Sequence, residues 1–305
     1  MMQPHDFLRK AVAFVKKLKF SESMNEPEYV KATHGFLAEA QNAVKFILPE
    51  NGRILDNDLK GLPEILKLPF PTILIEYTCR APDGTVEKVF GTEGTVPALK
   101  RMILASQHDE KIFLTSFLAY QEKFGDFWAM QPYIVAISKS HEGHQGKSVL
   151  ELFPDQTNLP TLKKLGNLVV QMFDIGGVAE QQWGADWQRH AYFDMLDEMN
   201  AVLSLVEALT CKNVSKQALP VKKNKGAQMR GALPYDEYHI LFVQTASGKH
   251  GNEFGGTGSH ASPREHLRRG HIRKYEDGSQ TWVQATIVNA GIGGTITKSY
   301  AVGIS

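Results

Sequence analysis

Arginines and histidines are concentrated in one short segment near the carboxyl end of this 305-residue chain. Guanidinium groups bind phosphate oxygens in two-pronged fashion, and imidazole can donate or accept a proton near neutral pH. These residue types therefore predict a site that meets phosphate. The side chains in question are Arg264, His266, Arg268, Arg269, His271, Arg273 and Lys274, with Glu265 as the one acidic residue among them.

The pattern of this segment predicts a β hairpin. Alternation places Arg269, His271 and Arg273 on one face of a strand, and Asp277-Gly278 is a turn dipeptide that leads into a returning strand. Trp282 on that returning strand has two interpretations. Its indole could be a stacking surface for an unpaired base, or it could be a core residue beneath the hairpin.

Three functions remain open for the basic segment. The first is a surface that binds nucleic acid or a nucleotide phosphate without reaction. The second is a metal-independent nuclease or phosphodiesterase in which His266 and His271 act as acid and base. The third is a structural network of salt bridges. No metal or cofactor is predicted.

Basic residues also extend beyond the hairpin. From residue 211 to residue 275, twelve lysines and arginines stand against four acidic residues, although the net charge of the chain is only +1. This concentration of positive charge in one segment predicts a surface that binds an anionic partner. The alternative is a solvated basic surface that binds nothing. The further residues that we expect to contact nucleic acid are Lys222, Lys223, Lys225, Arg230 and Lys298.

Two other groups of residues could bind a metal. The run from His141 to His144 has two histidines around a carboxylate, but its spacing is one residue short of the zinc-protease motif. Asp186, His190, Asp194 and Asp197 fall about one turn apart on a predicted helix. A hydrated helix face is the favoured explanation of the second group.

The cysteine content and the distribution of apolar residues predict a cytoplasmic protein. Cys79 and Cys211 are the only cysteines, they show no zinc-binding spacing, and they are expected to be small buried hydrophobes in a reducing compartment. No apolar run approaches the roughly 18 to 20 residues of a membrane span, and the first twenty residues read as an amphipathic helix instead of a signal peptide. No membrane contact is expected.

The elements that must position these residues indicate an α+β fold. An N-terminal helical hairpin precedes a central antiparallel sheet with long helices, and a β-rich lobe follows. We divide the chain into residues 1–210 and residues 211–305, which could pack as one unit. The predicted helices are 7–18, 26–47, 96–105, 159–173 and 181–209. The predicted strands are 72–79, 86–90, 112–120, 132–138, 237–245, the cationic strand through Arg269, His271 and Arg273, 280–288 and 295–302. Residues 212–230 are predicted to be an extended connector.

The C-terminal third also resembles an uncharacterised family of phage and prophage proteins. The resemblance rests on Cys211 to Val214, on Leu233 to Leu241, and on Pro263 to Arg273 followed by Trp282-Val283. It implies an origin in a bacterial virus or integrated element and an action in the host cytoplasm. It assigns no catalytic residue, and it favours either a nucleic-acid-binding protein or a protein that neutralises a host defence enzyme.

Overall fold

The computed structural model describes residues 6–17, 27–52, 54, 63, 66–79, 98–122, 125–139, 147–148, 151, 168–219, 237–243, 266–268, 271–283 and 286–288. For residues 121, 122, 125, 147, 242, 243, 266–268, 271 and 286–288 the description covers only the backbone.

Helices and strands alternate unevenly along the described residues. The helices are α1 (Phe7–Lys17), α2 (Pro27–Asn42), α3 (Val178–Trp183), α4 (Trp187–Asp194) and α5 (Leu196–Leu209). The strands are β1 (Val44–Ile47), β2 (Thr72–Thr78), β3 (Ala98–His108), β4 (Lys111–Glu122), β5 (Gly125–Met130), β6 (Tyr133–Lys139), β7 (Lys147–Ser148), β8 (Leu168–Asp174), β9 (Val214–Ala218), β10 (Tyr238–Val243), β11 (His266–Arg268), β12 (His271–Lys274), β13 (Gln280–Val283) and β14 (Thr286–Val288).

Ten strands form one mixed sheet. Nine of them follow the order β7-β8-β6-β4-β3-β2-β1-β10-β9, and β5 pairs with β4 outside that path. Strand β1 runs parallel to both of its neighbours, β2 and β10, whereas the other pairs are antiparallel. The α+β class is confirmed, and the strands of residues 69–140 pair in antiparallel fashion as expected. The parallel pairs come from β1, which lies outside that range and between β2 and β10.

Helices cover both faces of this sheet. On one face, α1 and α2 pack against alternate sheet residues such as Leu74, Met102 and Phe117. On the other face, α3, α4 and α5 pack against the intervening residues, among them Ile75 and Ile103. The continuous apolar run of β2 follows from this arrangement, because a strand covered on both faces has no polar side.

Several predicted elements have the wrong type or the wrong extent. Residues 44–47, predicted as the end of a helix, form β1; residues 98–105, predicted as a helix, belong to β3; and residues 168–173 lie in β8 instead of a helix. The predicted helix 181–209 is divided into three, with Gly184 at a φ of 67° between the first two. Part of the predicted connector is the strand β9.

The other predictions agree with the structure where it can be compared. The first helix and the strands predicted at 72–79, 112–120, 132–138 and 237–245 are confirmed to within a few residues. The strands predicted at 86–90 and 295–302 lie outside the described residues. Strands β9 and β10, which follow residues 210 and 211, belong to the central sheet, where β10 pairs with β1 and β9 pairs with β10. No described helix has both the length and the apolar character needed to cross a membrane.

Candidate functional site

The basic segment forms two strands instead of the single strand expected. Strand β11 pairs with β14, and β12 pairs with β13 in a separate two-stranded sheet. In β12 and β13, Ile272 lies opposite Trp282 and Arg273 lies opposite Thr281. We call β12, β13 and their turn, residues 271–283, the basic hairpin.

The turn of the basic hairpin has the chemistry that Asp277-Gly278 predicted. The amide of Tyr275 donates to the carbonyl of Ser279 at 2.9 Å, and the amide of Gly278 donates back to the carbonyl of Tyr275 at 3.0 Å. Gly278 has a φ of 77°, a conformation that glycine adopts without steric cost. Hydrogen bonds from the hydroxyl and the amide of Ser279 lower the pKa of Asp277, which therefore stays ionised.

Five consecutive side chains of the hairpin, those of residues 273–277, are exposed, and three of them are cationic or aromatic. Arg273 and Lys274 are exposed, and Tyr275 is 44% exposed, which is unusual for an aromatic residue. The guanidinium of Arg273 lies 5.6 Å from the centroid of the Tyr275 ring, within the range of a cation–π contact. Among the described residues no carboxylate forms a salt bridge with Arg273, so its charge is available to an external anion.

Trp282 is a core residue. It is 9% exposed and packs in the same apolar cluster as Ile272 and Cys211. Its position agrees with the core interpretation and not with a stacking surface, because the indole is turned toward the protein. Asn213 fixes this strand, since its side-chain amide donates to the carbonyl of Trp282 at 2.9 Å and accepts from the amide of Trp282 at 2.8 Å.

Lys212 lies beside the basic hairpin and was not among the predicted contacts. Its Nζ is 3.7 Å from Oδ2 of Asp277, and both side chains are largely exposed. The amide of Lys212 also donates to the carbonyl of Gln280 at 2.9 Å. A surface ion pair of this kind is weak, so the ammonium can exchange its partner for a stronger anion.

Three other predicted contacts belong to strands of the basic segment. The backbones of His266 and Arg268 lie in β11, and that of His271 lies in β12. Their roles in binding or cleavage stay predictions. The predicted contacts that lie outside the described residues are Arg264, Arg269, Lys222, Lys223, Lys225, Arg230 and Lys298.

A second group of titratable residues lies between the sheet and α5, at the end where α4 meets α5. Arg101 on β3 is opposite Tyr77 on β2, and its Nη1 is 2.7 Å from Oε1 of Glu198 and 3.7 Å from Oδ2 of Asp197. Glu198 is 1% exposed, whereas the Asp197 side chain is 58% exposed. The guanidinium of Arg101 therefore contacts one buried carboxylate, that of Glu198, and one exposed carboxylate, that of Asp197.

Asp194 adds a third carboxylate to this group. Its Oδ2 accepts a hydrogen bond of 2.8 Å from the hydroxyl of Tyr133. The Tyr133 ring centroid lies 5.9 Å from that of Trp183, which in turn stacks on His190 at 6.1 Å. Desolvation raises the pKa of Asp194, although the hydrogen bond from Tyr133 and the charge of Arg101 oppose the rise.

Burial changes the acid–base properties of this group. Desolvation raises the pKa of Glu198 to about 7, although Arg101 opposes the rise. Desolvation also raises the pKa of Tyr120, a neighbour on β4, to about 12. A carboxyl group with a pKa near neutrality can both donate and accept a proton under physiological conditions. We call Tyr77, Arg101, Asp194, Asp197 and Glu198 the acid–tyrosine cluster.

Sequence reasoning found only part of this cluster. Asp194 and Asp197 were predicted either as metal ligands or as a hydrated helix face together with Asp186 and His190. Asp186, Asp194 and Asp197 are exposed, as a hydrated face requires, but the contacts of Asp194 with Tyr133 and of Asp197 with Arg101 were not predicted. Among the described residues no three His, Cys, Asp or Glu side chains converge on a point where a metal ion could be held. Glu198 could have been noticed as the acidic neighbour of Asp197, but its partner Arg101 is 97 residues away in the sequence.

The two cysteines have the character of buried thiols. Burial raises the pKa of Cys79 to about 11 and that of Cys211 to about 12. A thiol needs a lowered pKa to be an effective nucleophile near neutral pH, so neither side chain is suited to covalent catalysis.

No family model matches the chain, and neither a characterised protein nor a solved structure is significantly similar to it. The likeness of the C-terminal third to phage and prophage proteins stays a prediction.

Proposed function

We propose that the basic hairpin binds the phosphate groups of a nucleic acid or a nucleotide. The observation that carries the proposal is the exposed pair of Arg273 and Tyr275, with Lys274 adjacent in β12. An arginine beside an aromatic ring can contact a phosphate and an unpaired base of the same chain. In a phage or prophage setting, such a protein would act on nucleic acid in the host cytoplasm.

The charge of the surrounding segment supports a polyanionic ligand. Lys212 contributes a further exposed cation beside the turn, and the segment from residue 211 to residue 275 has an excess of basic residues. A clustered positive charge attracts nucleic acid over distances comparable to the Debye length, which is about 8 Å at physiological salt.

The attachment of the hairpin to the core supports binding by a preformed surface. Asn213 holds the backbone of Trp282, and the buried indole sits under the opposite strand. The cationic side chains therefore project from a backbone that is already ordered, so less conformational entropy is lost on binding.

A direct test compares two single substitutions that remove the same charge. Arg273→Ala changes the hairpin, whereas Lys31→Ala removes an exposed cation from α2 on the other side of the sheet. Binding of a fluorescently labelled single-stranded oligonucleotide would be measured by polarisation across a salt series. We expect Arg273→Ala to weaken binding about tenfold or more and to reduce the slope of log K against log salt by about one.

Lys31→Ala should leave both quantities unchanged. Affinity that does not depend on salt, or equal losses in the two variants, would contradict the proposal.

A further inference from the structure

The acid–tyrosine cluster lies at the opposite end of α5 from the basic hairpin. Asp197 and Glu198 belong to the first turn of this helix, and the hairpin contacts the residues that follow its last turn. The two groups also have opposite charge, so a ligand that suits one does not suit the other. Whatever the cluster binds is independent of the phosphate-binding proposal.

We propose that the acid–tyrosine cluster binds the primary ammonium group of a small organic cation that also has a hydroxyl or carbonyl oxygen close to its amine. An amino alcohol is the simplest molecule of this class.

The sign of the charge selects a cation. Asp197 at 3.7 Å and Glu198 at 2.7 Å share the single guanidinium of Arg101, and Asp194 adds a carboxylate that accepts a hydrogen bond from Tyr133. Asp194 and Asp197 are exposed and can meet an incoming ligand from solvent. An anion would be repelled by these carboxylates, whereas a cation restores the balance of charge.

Polar atoms without partners indicate where the ligand would be held. Tyr77 is fully buried, yet its hydroxyl has no hydrogen-bond partner among the described residues, and the same is true of Oε2 of Glu198 and Nε of Arg101. Tyr77 is paired with Arg101 across β2 and β3, and Nη1 of Arg101 is 2.7 Å from Oε1 of Glu198, which places these groups together. Buried polar atoms nearly always have a hydrogen-bond partner, so three buried polar atoms without one in a single cluster indicate that a bound ligand supplies it.

An ammonium group with a neighbouring oxygen supplies the donors and the acceptor that these three atoms lack. Ammonium has three N–H donors, and Oε2 of Glu198 and the hydroxyl oxygen of Tyr77 can accept two of them. Nε of Arg101 is a donor, so it would bind the oxygen of the ligand. The aromatic rings of Tyr133 and Trp183, next to Asp194, add faces that favour an organic cation.

Binding should release a proton. At pH 7 the burial that raises the pKa of Glu198 to about 7 leaves its carboxyl close to half ionised, and a bound cation favours the ionised form. The other titratable or charged groups that act on the cluster are Tyr77 and Cys79 on and after β2, Arg101 on β3, Tyr120 on β4, Tyr133 on β6, His190 and Asp194 on α4, and Asp197 on α5. Affinity should therefore rise as the pH increases from about 6 to about 8.

The test is calorimetric titration of the full chain with ethanolamine at pH 7 in two buffers that differ in ionisation enthalpy. We expect saturable binding with release of about half a proton per ligand. Ethylamine, which lacks the oxygen, and tetramethylammonium, which lacks N–H donors, should each bind about tenfold more weakly or worse.

Two substitutions on α5 provide a matched comparison. Glu198→Gln should abolish the proton release and weaken ethanolamine binding about tenfold, whereas Glu207→Gln, which changes another buried glutamate near the far end of the helix, should leave both unchanged. Tyr77→Phe, which removes only the hydroxyl, should weaken binding without changing the proton release.

Several outcomes overturn the proposal. These are no heat from ethanolamine up to about 100 mM, a concentration above any specific small-ligand affinity, equal affinity for tetramethylammonium, and unchanged proton release in Glu198→Gln. If Glu198→Gln does not fold, as judged by circular dichroism, the comparison of the three amines and the pH dependence of the native chain decide the question. Oligonucleotide binding by the hairpin is a separate measurement that neither result affects.

Discussion

At the scale of single residues, the ion pair between Glu198 and Arg101 joins a carboxylate that is 1% exposed to a guanidinium that is 17% exposed. Taking a carboxylate out of water is costly, and the attraction to one guanidinium recovers only part of that cost. The part of the desolvation cost that the guanidinium does not offset raises the pKa of Glu198, since protonation removes the buried charge. The ionised form of Glu198 is therefore less stable in the folded protein than in water.

The raised pKa of Glu198 predicts how the stability of the protein depends on pH. Burial raises the pKa of Glu198 from 4.5 to about 7, so between these values the folded state binds more protons than the unfolded state. The contribution of Glu198 to stability is therefore present below pH 4.5 and is lost as the pH rises toward 7. We expect the free energy of unfolding to fall by up to about 3 kcal/mol over this range from this group, as measured by urea denaturation at pH 5 and pH 8.

The substitution Glu198→Gln should flatten this dependence, because glutamine has no proton to exchange. Glu180→Gln, which changes an exposed glutamate on α3, should keep the dependence of the native chain. A difference between pH 5 and pH 8 that is identical in all three proteins would show that Glu198 is not the group responsible.

At the scale of elements, the side chain of Asn213 replaces the backbone of a neighbouring strand beside Trp282. Its side-chain amide makes the pair of hydrogen bonds to Trp282 that a neighbouring backbone would make. Asn213→Ala removes both partners from a buried strand, and we expect it to lower the free energy of unfolding by about 1 to 3 kcal/mol. Hydrogen exchange should show faster exchange at the Trp282 amide, together with weaker oligonucleotide binding.

Asn42→Ala provides the comparison for this change. Asn42 also donates a side-chain hydrogen bond, to the carbonyl of Ala38 at 3.1 Å, but at the exposed end of α2. Its loss should cost little. If the two substitutions have the same effect on stability and on exchange at Trp282, Asn213 does not anchor the hairpin.

The elements also show what sequence patterns could and could not predict. The hairpin turn at Asp277-Gly278 was predictable because its chemistry is local. Strand β3, by contrast, contains Ala98, Leu99, Lys100 and Arg101, which all have high helix propensity. It is a strand because pairing with β2 and β4 on both sides outweighs that preference. Residues 44–47 were read as helix because Val44 and Ile47 continue the apolar spacing of α2.

At the scale of the whole molecule, the acid–tyrosine cluster could not be predicted from a single sequence. Tyr77, Arg101 and Glu198 come from β2, β3 and α5, and only the packing of α5 on the sheet brings them together. The two carboxylates that the sequence did single out, Asp194 and Asp197, looked like a solvated helix face because their spacing is also typical of one. The basic hairpin was predicted because its residues are contiguous.

The position of β1 makes a last prediction about the whole chain. This strand lies between β2, which follows it, and β10, which comes about 190 residues later, and it pairs with both. Tyr238 on β10 also donates to Oε1 of the fully buried Glu76 at 2.8 Å. A fragment of residues 1–210 would lose these contacts and would leave an unpaired strand edge and a buried carboxylate with one partner fewer.

We therefore expect residues 1–210, expressed alone, to aggregate or to unfold at much lower urea concentration than the full chain. Co-expression with residues 211–305 should restore a soluble complex, because β10 can pair with β1 from a separate chain. Size-exclusion chromatography and urea denaturation would measure this. If residues 1–210 alone unfold cooperatively at the midpoint of the full chain, the two parts are independent domains; if they do not, the sheet that joins the N-terminal helices to the C-terminal strands is the unit that folds.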